Sequence, residues 1–195
     1  MARGMGCSIG RLGLALAFVS ALALEAGAVQ PGAGRAGLSQ ADVAIAEKIC
    51  NAAIRGYSID APIDHLLPAH GVYVEGYGVV LITDVNLVAL PSLYGFAGGV
   101  TEKDKMQIHD SKVRRFPAVR ELFVRVAAEM ASGLDRLPPE ESVMLRVNFY
   151  NFEFENKNDL PKRLTISGRK KDLVDALRPG SLPGALDSVL KVAVE

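Results

Sequence analysis

The chain has 195 residues, 49% of them hydrophobic and 6% aromatic, and its 22 Lys and Arg balance 22 Asp and Glu. That length fits one domain with a tail, and that apolar content excludes wholesale disorder and a collagen-like chain. The even charge argues against a nucleic-acid binder, which carries a basic excess.

At the start, Arg3 and Arg11 flank a stretch without acids, and residues 12–24 (LGLALAFVSALAL) follow without a charge. Ala26-Gly27-Ala28 then offers a small-x-small site. This order predicts a secretory signal peptide over residues 1–28, with an uncleaved N-terminal anchor as the alternative. The apolar run is shorter than the roughly 20 residues that cross a bilayer. Cys7 precedes the run, so it does not sit where a lipid-modified cysteine would. No later stretch reads as a membrane span. Cleavage near Ala28 leaves Cys50 as the one cysteine, which excludes an intramolecular disulfide. Its place on a helical apolar stripe predicts a buried thiol.

Residues 29–38 (VQPGAGRAGL) read as a flexible lead-in to a single domain over 39–195. Ser39 and Asp42 approximate a capping box, and Val43, Ala46, Ile49, Cys50, Ala53 and Ile54 recur at helical spacing. A helix is therefore expected over 40–55, ended by Gly56. Pro62 and Pro68 mark 60–70 as irregular. Strands are expected at 72–74 and 79–87, which are rich in β-branched and aromatic residues. Between them Glu75-Gly76-Tyr77-Gly78 predicts a tight turn with positive-φ glycines. Residues 79–82 are apolar on both faces, which predicts a central strand with Val80 buried.

Residues 101–116 are charged and helical in pattern, and Pro117 is read as opening a second helix over 117–134. Val119, Leu122, Phe123, Val126, Met130 and Leu134 form its core-facing stripe. Val143, Leu145, Val147 and Phe149 alternate with polar or longer residues, the pattern of a half-buried strand, and the parity changes near Tyr150. A returning strand is expected at 163–167, a helix at 169–177 and a last short helix within 185–192. The order predicts an α+β fold: an N-terminal helix and an antiparallel sheet of about four strands in two β-β-α units, with helices packed on one face.

Several groups are candidates for chemistry. Asp60, Asp64, His65 and His70, with Glu75 nearby, are the densest ionisable loop. Imidazoles and carboxylates of this kind can hold zinc, although His65 and His70 straddle a proline and do not have the spacing of helix-borne zinc histidines. His109-Asp110 reads as part of a solvated helix face, as do Lys112, Arg114, Arg115 and Arg120. Ser167 with Lys170, and Ser188 with Lys191, match S-x-x-K, but the companion motifs of serine acylating enzymes are absent. Gly95-Phe96-Ala97-Gly98-Gly99 lacks the Lys-Ser/Thr that would make it a P-loop.

Glu75-Gly76-Tyr77-Gly78-Val79-Val80, together with Asp172, Leu173, Gly180 and Leu182, resembles exported bacterial proteins of uncharacterised function. Those proteins share an E/P-G-x-G-V-V turn-strand and a C-terminal D-L-x-x-x-x-x-x-G-x-L pattern. The resemblance covers roughly residues 70–195 and implies export and a common fold, not a reaction. The reading of the whole is an exported periplasmic or extracellular protein, a non-catalytic binding or scaffolding domain of the cell envelope. Its partner would be an envelope protein or peptide, with no nucleic acid and no membrane span after cleavage. A further reading is a sensor or binding module whose sheet face or Gly-rich loop receives a peptide or small ligand. No catalytic, cofactor-binding or metal-ligating residue is assigned. The alternative is a small metal-assisted hydrolase using Asp64, His65 and His70.

Overall fold

The computed structural model describes residues 38–58, 60–89, 100–156, 158–181 and 184–195, all within the compact unit Arg35–Glu195. The expected signal peptide over 1–28, nearly all of the lead-in and the glycine cluster at 95–99 lie outside the described residues.

The first helix, α1 (Gln40–Arg55), is set as the sequence predicts. Ser39 Oγ accepts from the Asp42 amide, and the Asp42 carboxylate accepts from the Ser39 amide, so both orphan donors of the first turn are satisfied. Val43, Ala46, Cys50 and Ile54 form the buried stripe. Next come β1 (Asp64–Val74) and β2 (Gly78–Asn86), an antiparallel hairpin closed by the predicted turn. Gly76 has φ +76° and Gly78 φ +127°. At Gly78 a side chain is excluded twice over, because an added Cβ would lie 1.9 Å from the Ser142 carbonyl oxygen.

A 32-residue helix, α2 (Glu102–Gly133), then crosses to β3 (Ser142–Phe149), which is followed by β4 (Arg163–Arg169), α3 (Lys170–Ala176), α4 (Ala185–Val189) and β5 (Lys191–Val194). The strands form one five-stranded sheet in the order β1-β2-β3-β4-β5. One face carries Leu81 and Val85 from β2, Leu145 and Val147 from β3 and Leu164 and Ile166 from β4. It packs into a single core with Cys50 and Ile54 of α1, Phe123, Val126 and Met130 of α2, and Leu173 of α3.

The α+β class and the core-facing stripe of α2 agree with the sequence reading; other expectations need correction. The sheet is mixed, with five strands, where four antiparallel strands were expected. β2 and β3 run parallel because α2 carries the chain back along the sheet before β3 begins. β1 starts at Asp64, so 64–70 is strand and not an irregular loop. Its Pro68 is tolerated because β1 is an edge strand, interrupted by register shifts on both sides of Leu67. Pro117 lies inside α2 rather than at the start of a second helix. Proline there removes the hydrogen bond that would reach Val113, but Pro117 and Val113 are both exposed, so water can serve the freed carbonyl. The expected C-terminal helix is only α4, and the chain then adds β5. Val80 is half-buried, not buried, because no described element covers its side of the sheet.

Candidate binding surface

The predicted metal loop is the natural starting point. As strand β1 it disperses its ligands. His65 pairs with Val85 on the covered side of the sheet, whereas His70 pairs with Ile82 on the opposite side. Glu75 stands at the far end of β1, on the order of 30 Å from His65 along an extended strand. Thr83 Oγ donates to the Leu67 carbonyl at 2.8 Å, so it accepts from His65 Nε2 at 3.2 Å, and that ring braces the irregular part of β1. Burial, helped by nearby Arg55, holds the His65 pKa below its ordinary value, against the Leu67 and Asp64 contributions that raise it. Among the described residues, no three His, Cys, Asp or Glu side chains converge as a metal site. His109 faces Asp159 at 3.6 Å, and burial pushes the Cys50 thiol up to about 12, where it is inert.

The serine-lysine pairs do not assemble either. Lys170 donates to the carbonyls of Leu134, Asp135 and Leu137 at 2.7, 3.0 and 2.8 Å, which fastens the end of α2 to the start of α3. Lys191 is an exposed residue at the start of β5.

The basic stretch of α2 divides by function. Arg115 donates to the carbonyls of Leu87 and Ala61, tying the end of β2 to the helix. It borders a cavity of about 340 Å³ together with Asp60, Val88, Ser111 and Arg114. Lys112, expected on a solvated face, is fully buried. Its Nζ donates to Glu155 Oε2 at 2.7 Å and to the Tyr150 carbonyl at 2.8 Å, and it lies 4.6 Å from the centre of the Phe152 ring. Glu155 Oε2 also accepts from the Phe152 amide at 2.6 Å. Burial lowers the Lys112 pKa from its ordinary value, while the hydrogen bond and charge of Glu155 act the other way. This enclosed pair clamps the segment after β3 onto α2. The signal for it was in the sequence, since Lys112 stands at helical spacing between the buried Ile108 and Val119.

Among the described residues, the candidate reactive side chains considered above are engaged in holding the fold or are dispersed; the outer face of the sheet is different. Val72 is 58% exposed and Ile82 40%, and they lie beside Val74, Val80 and Met144 on β1, β2 and β3. Alternation puts Arg146, Arg169 and Lys191 on this same face, with Thr165 and Ser167 between them. None of the three cations has a hydrogen bond or ion pair with a described residue. Two acids of the face are already held, Asp84 accepting from Asn148 Nδ2 at 2.7 Å and Glu195 pairing with Arg163 at 2.7 Å, while Asp64 stands at the far end of β1 opposite Asn86. The β1 edge beside the face is blocked, because the Ala69 and Gly71 amides donate to Asn51 Oδ1 and Glu47 Oε1 of α1, both at 2.8 Å.

Comparison of this chain with protein-family models, with curated proteins and with solved structures gives no match. Among the described residues, no helix is long and apolar enough to cross a membrane.

Proposed function

We propose that this chain is an exported protein of the cell envelope that acts by binding or scaffolding, without catalysis of its own, through the outer face of its sheet. The observation that carries the reading is the contrast, among the described residues, between that uncovered face, with Val72, Val74 and Ile82 exposed, and the engaged or scattered polar groups elsewhere. Contiguous apolar surface rimmed by polar residues marks interaction sites more often than chance exposure does. Export is supported by the charged start, the apolar run over 12–24 and the Ala26-Gly27-Ala28 site, and by the likeness of the E-G-Y-G-V-V turn to exported bacterial proteins.

A photocrosslinking residue at Ile82 tests the surface, with one at the exposed Met106 of α2 as control. A discrete adduct in the envelope from Ile82 and none from Met106 is expected. No adduct from Ile82, or the same products from both positions, would end the proposal. Intact mass of the protein from the envelope fraction tests export separately: the expected species begins after Ala28, and one beginning at Met1 or Ala2 contradicts cleavage.

A further inference from the structure

We infer that the outer sheet face is the seat of an acidic amphipathic helix supplied by a partner protein. The inference rests on the binding reading above and adds the chemistry of the partner.

Shape comes first. Val72, Val80 and Met144 are successive neighbours across β1, β2 and β3, and Ile82 lies one row away. Adjacent strands are about 4.8 Å apart, so these three strands present an apolar strip about 10 Å wide. That matches the roughly 10–12 Å diameter of one α-helix. A sheet with helices on one face buries its second face most readily under another helical layer.

Charge selects among helices. The rows that begin at Val72 and His70 run outward to Lys191 and through Arg146, and Arg169 stands two residues beyond Ser167 on β4. A helix seated on the apolar strip therefore has Arg146 beneath its flank and Arg169 and Lys191 beside it, all three without an internal counter-ion among the described residues. Of the acids of the face, Asp84 and Glu195 are already bonded to Asn148 and Arg163, and Asp64 lies at the far end of β1, opposite Asn86 and away from the three cations. Glu or Asp on the flank of the incoming helix would complete the unpaired cations and steer its approach.

Other occupants fit less well. A second copy packed face to face would set its own arginines against these, an arrangement that like charges oppose. A strand added at the β1 edge meets amides already taken by Asn51 and Glu47. An anionic membrane shares the charge preference, but membrane-surface binding buries a protruding apolar face about 5–10 Å deep. Here the apolar side chains lie along the pleat of a sheet, in a chain of balanced charge.

The test uses a synthetic helical peptide of about 20 residues, roughly 30 Å long, with a Leu stripe and Glu flanks, and a copy with Lys in place of Glu. Methyl NMR signals of Val72, Val80, Ile82 and Met144 report seating, with Val126 in the core as reference. The Glu peptide should shift the four outer signals and leave Val126 in place, and the Lys peptide should not bind. Its affinity should fall several-fold as salt rises from about 50 to about 500 mM. Arg146→Glu with Arg169→Glu and Lys191→Glu should weaken the Glu peptide about tenfold and admit the Lys peptide. Lys191→Glu alone, at an exposed edge position, should weaken it in the same direction. Equal affinity for both peptides, no binding of the Glu peptide, or shifts confined to another surface would overturn the inference. So would phosphatidylglycerol vesicles that shift the four signals while the Glu peptide does not. If the Glu peptide fails but Ile82 still crosslinks, the partner chemistry is wrong and the binding surface stands. If Ile82 gives no adduct, the binding reading itself falls.

Discussion

Leu81 and Ile82 are consecutive residues of β2, and they sit in opposite worlds. Leu81 is completely buried beneath α1 and α2, whereas Ile82 is 40% exposed on the other side of the same strand. Burying a leucine fully stabilises a fold by about 1.5–3 kcal/mol, and every apolar residue of the covered face contributes in that way. Ile82, Val72 and Val74 contribute far less to stability, so their apolar character needs another reason. The covered face is explained by folding; the outer face, on the proposed reading, is explained by a partner it would bind.

The sharpest way to break this comparison is to place the same charge on both neighbours. Leu81→Asp should cost about 4 kcal/mol or more and leave little folded protein, because an unpaired carboxylate would enter the core. Val126→Asp, from the helix that covers the sheet, should do the same. Ile82→Asp should cost only about 1 kcal/mol, chiefly from the poor strand propensity of Asp. Urea unfolding of the three variants measures the contrast, and an Ile82→Asp cost near that of Leu81→Asp would mean that the outer face is covered after all.

A second break concerns the clamp between α2 and the segment after β3. Glu155→Ala should cost about 3–5 kcal/mol, because Lys112 loses its partner inside the protein. Lys112→Met with Glu155→Leu should recover most of that loss, since neither charge then remains. The pH dependence has a definite sign. Burial holds the folded Lys112 pKa below the ordinary 10.5, so the unfolded chain binds the extra proton in the interval between the two values. Stability from this group therefore rises as pH rises through that interval. Glu155→Ala, which removes the influence opposing burial, should show a steeper alkaline gain in a thermal-melt series.

His65 gives the smallest effect and sharpens the comparison from the covered side. Its folded pKa lies below the ordinary 6.5, so the unfolded chain gains a proton first as pH falls. Stability should decline from about pH 6.5 down through the folded pKa and then level off. His65→Gln should flatten that decline, whereas His70→Gln, on the outer face, should leave it unchanged. Melting temperatures between neutral and mildly acid pH decide the matter.

The elements that were legible in the sequence are those built from local interactions. The capping box of Ser39 and Asp42 fixes the start of α1, and Gly76 and Gly78 fix the hairpin turn. The alternation from Val143 to Phe149 gives β3 its buried face, and its change of parity marks the end of that strand at Phe149. The least legible residues depend on distant neighbours. Pro68 was read as a breaker because nothing local says that its strand is an edge. Lys112 was read as solvated because its counter-ion lies 43 positions away. Val80 was expected in the core because apolar residues on both sides of a strand look alike, whether the second side is packed or bare.

The sequence by itself therefore determined the start and end of α1, the hairpin turn, the apolar stripe of α2 and the alternating strand β3. Each rests on residues within a few positions of one another, where side-chain spacing and backbone preference decide the outcome. Only the tertiary structure decided that β2 and β3 run parallel, that α2 continues through Pro117, that β5 completes the sheet and that His65 and His70 face opposite ways. Those outcomes depend on which surfaces meet after the chain has closed long loops, and no local pattern records that choice. The outer face, left uncovered by the described elements, belongs to the same category, since a strand carries its side chains alternately to both faces but does not specify which face the helices will cover.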